Sequence, residues 1–470
     1  METRNQTNTR LEENTMAILD SAGFKTDSRH TTDDRIAFLE AVRAASIVPE
    51  ASISPTKKMC EAIFQILREE SSLELLVESF QLLNQLDKRF PRVSMSRGDE
   101  SNLKPPSNCD NQIELVVLEE AWSPFIFGSD NERADTSKNR HGPIDITGFH
   151  LLVEEIVMAG QTNSGISQIK ALKDMMLLQY LISVLEGDFI PRNTVYQYTT
   201  NWSILRDSLL NTILGSRRVR YKDLVQDILS IMCDMSPVQS SHADGRLPVT
   251  SEAHLPENCD IASTVALPEL RKCTGSSMQK LIVMIMELDK AKKNADVQGL
   301  TTRADGVRTP LVEIIQDHLA YNEAAVSPFF EVFTEPKCKL DIIVQYFQKY
   351  MAKPSVRTRR SNNLNPAGEA TFPGILNCFC NGSITKNIRK KIHPEVIQLL
   401  LAHAFQAYLS LPAESFDGNH NSKEAYKNSV AETCKNFISA FTNLRRDGCM
   451  EILPFAKEAL FTATCILSTK

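Results

Sequence analysis

Apolar residues recur along most of the chain at three- and four-residue intervals, the period of an α-helix with one buried face. In SSLELLVESFQLLNQLDKRF the positions Leu73, Leu76, Val77, Phe80 and Leu83 share a stripe, and Pro91 ends it. HPEVIQLLLAHAFQAYLSL places Ile397, Leu400, Leu401, Ala404, Tyr408 and Leu411 together, with Pro394 suited to a first helical turn. TTDDRIAFLEAVRAAS opens on Thr and Asp, which satisfy free N–H groups and suit the positive end of a helix. IELVV (113–117) is the best candidate for a strand, yet the EEA after it suits a helix equally. The pattern predicts an all-α fold.

KDMMLLQYLISVLEG and LDIIVQYFQKYM (340–351) show no wide polar face, so they need burial from several sides. Stacked helical pairs provide that. No fixed repeat period is visible by residue identity, so the expected architecture is an irregular armadillo- or HEAT-like helical superhelix with long polar loops; two unrelated helical domains are the competitor. Polar breaks at 91–112, 128–145, 236–262 and 353–371 suggest segments 1–130, 131–262 and 263–470 within one continuous superhelix, with a mobile loop near 236–262.

Composition sharpens this picture. The 470 residues carry 42% hydrophobic and 23% charged positions, enough for a sizeable core, while 18 glycines argue against a Gly-rich nucleotide-binding sheet. The polar N-terminus shows no signal peptide, and no apolar run reaches the roughly 20 residues of a bilayer span. An intracellular protein is expected. Its 11 cysteines are then read as buried thiols in a reducing compartment, and the sequons at Asn5, Asn201 and Asn381 as chance matches.

Catalytic signatures are absent: there is no GxxxxGK[ST], GxGxxG, GxSxG or HExxH, and the histidines are scattered. The expectation is no enzyme, no cofactor, no metal and no small-molecule substrate. Cys378 and Cys380 read as buried thiols in an apolar turn, and His403 as a satisfied histidine at a core edge. Asp317 and His318 are sequence neighbours and so face different ways on a helix. Glu119–Glu120 and Glu154–Glu155 read as solvated helix surface. Ser54–Pro55 and Thr309–Pro310 read as helix caps followed by Pro at the first helical position.

What remains is positive charge concentrated within a chain of formal net charge -6. KPSVRTRR (353–360), RRVRYK (217–222), KAKK (290–293) and IRKK (388–391) all fall at inferred helix ends or loops. A helix dipole accounts for KAKK, whereas Arg359 and Arg360 sit in a Pro/Ser/Asn loop that offers no such reward. No aromatic residues interleave with them, and pI ≈ 5.9 is not that of a dedicated DNA binder. Arg303, Arg308, Lys353, Arg357, Arg359 and Arg360 are the candidate partner- or phosphate-contacting residues, since the guanidinium fork grips carboxylate or phosphate.

Several long blocks also resemble a known family. EAVRAASIVPE (40–50), EAWSPFIFGSD (120–130), LIVMIMELDKAKKNAD (281–296), RADGVRTP (303–310), VRTRR (356–360) and ILPFAKEALFTA (452–463) are similar to the plant negative regulators of systemic acquired resistance. The resemblance implies a nuclear, non-catalytic, armadillo-like protein that represses defence genes. It further implies an Nse-six-like subunit of the Smc-five/Smc-six complex, paired with an Nse-five-like subunit and serving chromosome maintenance and the DNA-damage response. Direct DNA-binding repression through the basic loops is the alternative.

Overall fold

The computed structural model describes residues 13–19, 28–48, 53–97, 113–127, 143–161, 168–234, 259–306, 308–320, 322–331, 333, 335–350, 371–412, 422–446 and 451–469. The chain forms two compact units divided between Arg308 and Thr309. Helices dominate both, so the all-α expectation holds.

In the first unit a short helix α1 (13–19) precedes α2 (Ser28–Ser46), α3 (Lys57–Glu69) and α4 (Leu73–Arg89). Then come α5 (Ile146–Gln161), α6 (Gln168–Thr199), α7 (Trp202–Arg206), α8 (Leu209–Gly215), α9 (Tyr221–Asp234) and α10 (Cys259–Val297). The centre is α6. It packs on α3, α4, α5, α7, α8 and α10, which is why Met175, Leu178, Tyr180, Leu181, Ile182, Leu185 and Phe189 are all buried. Burying a helix from so many sides requires apolar residues around its whole circumference. The absent polar face in KDMMLLQYLISVLEG was that signal.

The other expectations for this unit need adjustment. α2 starts at Ser28, ahead of the Thr–Asp run read as its beginning. On α4 the buried face is Leu75, Leu76, Ser79, Leu82, Leu83 and Leu86, so the stripe is rotated and Leu73, Val77 and Phe80 are half-buried at its edge. The Ser54–Pro55 cap is also displaced: Met59 N donates to Thr56 Oγ1 at 3.4 Å, which makes Thr56 the cap. IELVV is a strand, β2 (Ile113–Val117), paired antiparallel with β1 (Val93–Arg97) in register Val93↔Val117 to Arg97↔Ile113. Its β-branched residues find a partner strand, and the Glu pair behind it falls in an exposed turn, not on a helix. A second two-stranded pair, β3 (Phe125–Ile126) and β4 (Ile144–Asp145), is parallel.

The second unit contains α11 (Leu311–Leu319), α12 (Glu323–Glu331), α13 (Pro336–Tyr350), α14 (Phe372–Phe379), α15 (Gly382–Arg389), α16 (Pro394–Leu409), α17 (Ser422–Arg446) and α18 (Pro454–Ser468). Its centre is α16, which packs on α12, α13, α17 and α18. Every residue from Val396 to Phe405 is buried, a much wider face than one stripe. Pro394 does occupy the first turn. On α13, by contrast, Asp341, Gln345 and Lys349 form a narrow exposed row, so this helix has a polar edge after all. Within each unit helix leans on helix, the arrangement an irregular armadillo- or HEAT-like superhelix requires.

Two apparent sequence signals turn out to be helix-end chemistry. Asn201 accepts from Ser203 N at 3.1 Å, and Asn381 accepts from Ser383 N at 3.0 Å. Each asparagine caps a helix, and the serine that completes each sequon is the residue whose backbone is capped. Thr309 caps nothing, because the N-cap position of α11 is Pro310.

Candidate partner-contacting loop

Residues 301–306 follow α10, and they and Arg308 return to contact its C-terminal end. Thr302 begins a single 3-10 turn, Arg303–Asp305, with Thr302 N and Oγ1 donating to Asp305 Oδ2 at 2.6 and 2.9 Å. Gly306 follows at φ 64, ψ 171, a region almost closed to residues with a Cβ. Trp202 Nε1 donates to Asp305 Oδ1 at 3.1 Å, and Lys292 Nζ donates to the carbonyls of Asp305 (2.7 Å) and Gly306 (2.8 Å). The turn is thereby tied to α7 and α10.

The electrostatics follow from this geometry. Burial pushes the Asp305 carboxyl up, but the Thr302 donors, the Trp202 indole and nearby Arg206 outweigh it, so it sits below the usual carboxylate range. Burial and then Arg308 lower the Lys292 ammonium, against the opposing pull of Asp296, Asp305 and Asp289. Lys292 belongs to KAKK, yet it is not a solvated cation near a helix dipole; its charge is directed at two loop carbonyls.

The predicted arginines separate here. Arg303 is exposed on the turn. Arg308 is directed inward: its Nη2 and Nε donate to Asp289 Oδ1 at 2.7 and 3.2 Å, and its guanidinium lies 5.1 Å from the Tyr221 ring centroid. Its side chain is only 8% exposed. The loop therefore presents Arg303 and anchors itself with Arg308. Lys353, Arg357, Arg359 and Arg360 lie outside the described residues. Asp289, Lys292 and Trp202 escaped the sequence reading, since each partner is a long way off along the chain; the Asp305–Gly306 dipeptide, a turn signal, was the one available hint.

The remaining clusters are quickly placed. Arg217, Arg218, Arg220 and Lys222 are exposed at the start of α9. His403 is 4% exposed, with Nε2 3.2 Å from the Ser327 hydroxyl and its ring 4.4 Å from that of Phe455. Burial lowers its pKa to about 3, with Lys339 adding to the effect, so it is a neutral core histidine, deeper than the edge position expected. Asp317 pairs with Lys349 at 2.6 Å, and burial lowers the neighbouring His318. Cys380 is exposed and Cys378 half-buried, which corrects the buried-thiol reading of both. Among the described cysteines only Cys60 and Cys434 are buried. Glu323, His393 and Glu395 bring donor atoms within 4.8 Å of one another, largely exposed to solvent. Among the described residues, shallow grooves include one of about 430 Å³ between α5 and α6 and one of about 370 Å³ between α17 and α18. No described helix is long and apolar enough to cross a membrane.

Fold and surface define a class: an all-α protein of closely packed helices whose polar clusters hold helix ends and loops in place. The chain belongs to the SNI1 family. Residues 92–335 match the SNI1 middle domain and residues 351–470 the SNI1 C-terminal domain. It is 44% identical over 464 residues, 98% of this chain and 95% of the relative, to a protein of Arabidopsis thaliana named "Negative regulator of systemic acquired resistance SNI1". The middle-domain match extends past Arg308 through α11 and α12, whereas in the structure these two helices pack with α13 and α16.

Proposed function

We propose that this chain is a non-enzymatic nuclear scaffold that represses defence-gene expression by docking other proteins. The observation that carries this is the 44% identity to a named negative regulator across 98% of the chain. The structure supports it with two densely packed helical units and with a cation, Arg303, presented on a braced turn. As partners we propose an Nse-five-like subunit and, through it, the Smc-five/Smc-six complex, which would link defence repression to chromosome maintenance. Affinity purification of the full chain from plant nuclei, followed by identification of co-purifying subunits, tests this. Recovery of those subunits supports the reading; a nuclear fraction that repeatedly yields the chain alone, or a chain found outside the nucleus, overturns it.

A second reading, direct DNA binding, draws on one feature. Arg217, Arg218, Arg220 and Lys222 cluster at the start of α9, where the helix dipole disfavours cations. Such binding falls steeply with salt as phosphate counterions are released. Failure of the purified chain to shift duplex DNA at low salt removes this alternative.

A further inference from the structure

In the second unit the turn between α11 and α12 meets the start of α16. His393 N donates to the Ala320 carbonyl at 3.1 Å, and Ile397 N donates to the His393 carbonyl at 3.1 Å. Pro394 follows in the first turn of α16, with its φ fixed by the ring. The backbone of His393 is thereby held on both sides, while its side chain stays 55% exposed. Glu395 lies in the same first turn, and Glu323 opens α12, which packs on α16.

These elements gather one imidazole and two carboxylates, each offering a donor atom within 4.8 Å of the other two. Two observations separate the set from a chance meeting of surface acids. Glu395 Oε2 is closed off from solvent and accepts no hydrogen bond; His393 Nδ1 stands 2.6 Å away but off the line of an N–H donor. An enclosed carboxylate oxygen without a donor carries a desolvation cost that a bound cation would offset. In addition, no described Lys or Arg pairs with Glu323 or Glu395, so two carboxylates stand together with no basic side chain between them. Both occupy the first turn of a helix, where the dipole favours the ionised form that a ligand must take.

The donor types narrow the choice of ion. Imidazole with carboxylates suits Zn²⁺ and its first-row neighbours, whereas Ca²⁺ and Mg²⁺ prefer oxygen alone. Metal–ligand bonds of about 2.0–2.2 Å put neighbouring donors roughly 3–4 Å apart. A small turn of the exposed Glu323 side chain brings the set to that spacing.

We propose that Glu323, His393 and Glu395 bind one divalent transition-metal cation of the Zn²⁺ or Mn²⁺ class, with water filling the remaining positions. The ion ties the start of α12 to the start of α16, beside the hydrogen bond from His393 to Ala320. Glu323 and His393 are far apart along the chain, so no motif discloses the site. The proposal goes beyond the docking function and does not depend on it.

The test is calorimetric titration of the metal-free full chain with Zn²⁺, with Co²⁺ as a spectroscopic substitute. Exposed thiols at Cys273, Cys380 and Cys465 could also take Zn²⁺, but they would give Co²⁺ a thiolate charge-transfer band that carboxylate and imidazole do not. Expected is one equivalent bound without that band, weakened at least roughly tenfold in Glu323→Gln and in His393→Asn. Glu323→Gln changes an exposed position, and Asn is well suited to the N-cap that His393 occupies, so both metal-free variants should melt as the wild type does. Zn²⁺ should raise the melting temperature of the wild type and leave that of the variants unchanged. No uptake by the wild type would show a plain surface ion pair and overturn the proposal. Equal affinity in wild type and Glu323→Gln, or uptake marked solely by the thiolate band, would overturn it too.

Discussion

The central helices of the two units handle buried polarity in opposite ways. α6 carries a charged pair inside the first unit. Arg192 Nε donates to Asp188 Oδ1 at 3.2 Å, Leu209 N donates to Asp188 Oδ2 at 2.8 Å, and Arg192 Nη1 donates to the Ile204 carbonyl at 3.2 Å. Both side chains are under a tenth exposed. One ion pair thus fixes where α7 and α8 attach to the long helix. α16 does the equivalent work with neutral groups: Gln398 Nε2 donates to the Glu451 carbonyl at 3.0 Å, and its Oε1 accepts from Leu453 N at 3.1 Å, which positions the start of α18. Both arrangements satisfy backbone groups at a helix junction. Only the first leaves a buried charge behind when one member is lost.

The largest expected effect follows from that difference. Asp188→Ala strands the Arg192 guanidinium and Leu209 N, and should destabilise the first unit by about 3–5 kcal/mol. Gln398→Ala should cost the second unit only about 1–3 kcal/mol. Urea unfolding followed by hydrogen exchange, which assigns the loss to a unit, checks both. Equal losses would mean that charge is not what distinguishes the two junctions.

Acidity should separate the units next. His403 has its pKa lowered by burial from 6.5 to about 3, so the unfolded chain takes up a proton that the folded one refuses. Its contribution is complete above pH 6.5 and is lost as the pH falls, amounting to about 2 kcal/mol between pH 7 and 5. Asp87, beside Tyr180 in the first unit, has its carboxyl raised by burial from 3.8 to about 6. Here the folded chain holds the proton more tightly, so stability is greatest below pH 3.8 and falls as the pH rises through 6. Going from pH 7 to 5 therefore returns about 1 kcal/mol. Hydrogen exchange at the two pH values should show the second unit loosening while the first tightens. His403→Leu should reduce the former response, leaving the part due to His318, and Asp87→Asn the latter, leaving the part due to Asp174.

An effect of similar size, but local, belongs to the loop. Gly306→Ala places a Cβ at φ 64, ψ 171 and should cost about 1–3 kcal/mol, confined to exchange rates around residues 302–308. The smallest is Arg303→Glu. At an exposed position it should leave the melting free energy within about 0.5 kcal/mol while weakening capture of an acidic partner. A large stability loss there would show that Arg303, like Arg308, is an internal strut.

These contrasts also show what the sequence could convey. Apolar residues around the full circumference of LQYLISVL announced the first central helix, because burial from all sides leaves a mark on every position, whereas α16 read as a single stripe and its burial on every side appeared only in the fold. IELVV stayed ambiguous because a short, mostly apolar run suits either element until its partner strand, some twenty residues earlier, is known. The cap at Ser54 was misplaced by two residues, since Thr56 offered equally good local chemistry, and at α11 the N-cap position falls on Pro310, which makes no side-chain cap bond. Arg308 and Lys292 read as surface charge because Asp289 and the Asp305 carbonyl are brought to them only by the fold. Arg303, whose setting is local, was expected at the surface and is exposed there.

Arg308 is the last residue of the first unit, and its guanidinium grips Asp289, two turns before the end of α10. A pull along the backbone at Thr309 would meet that clasp, and the Lys292 grip on Asp305 and Gly306, before it could peel the helix itself. The charged contacts would thus take the load first, and α10 would be shielded from unzipping residue by residue.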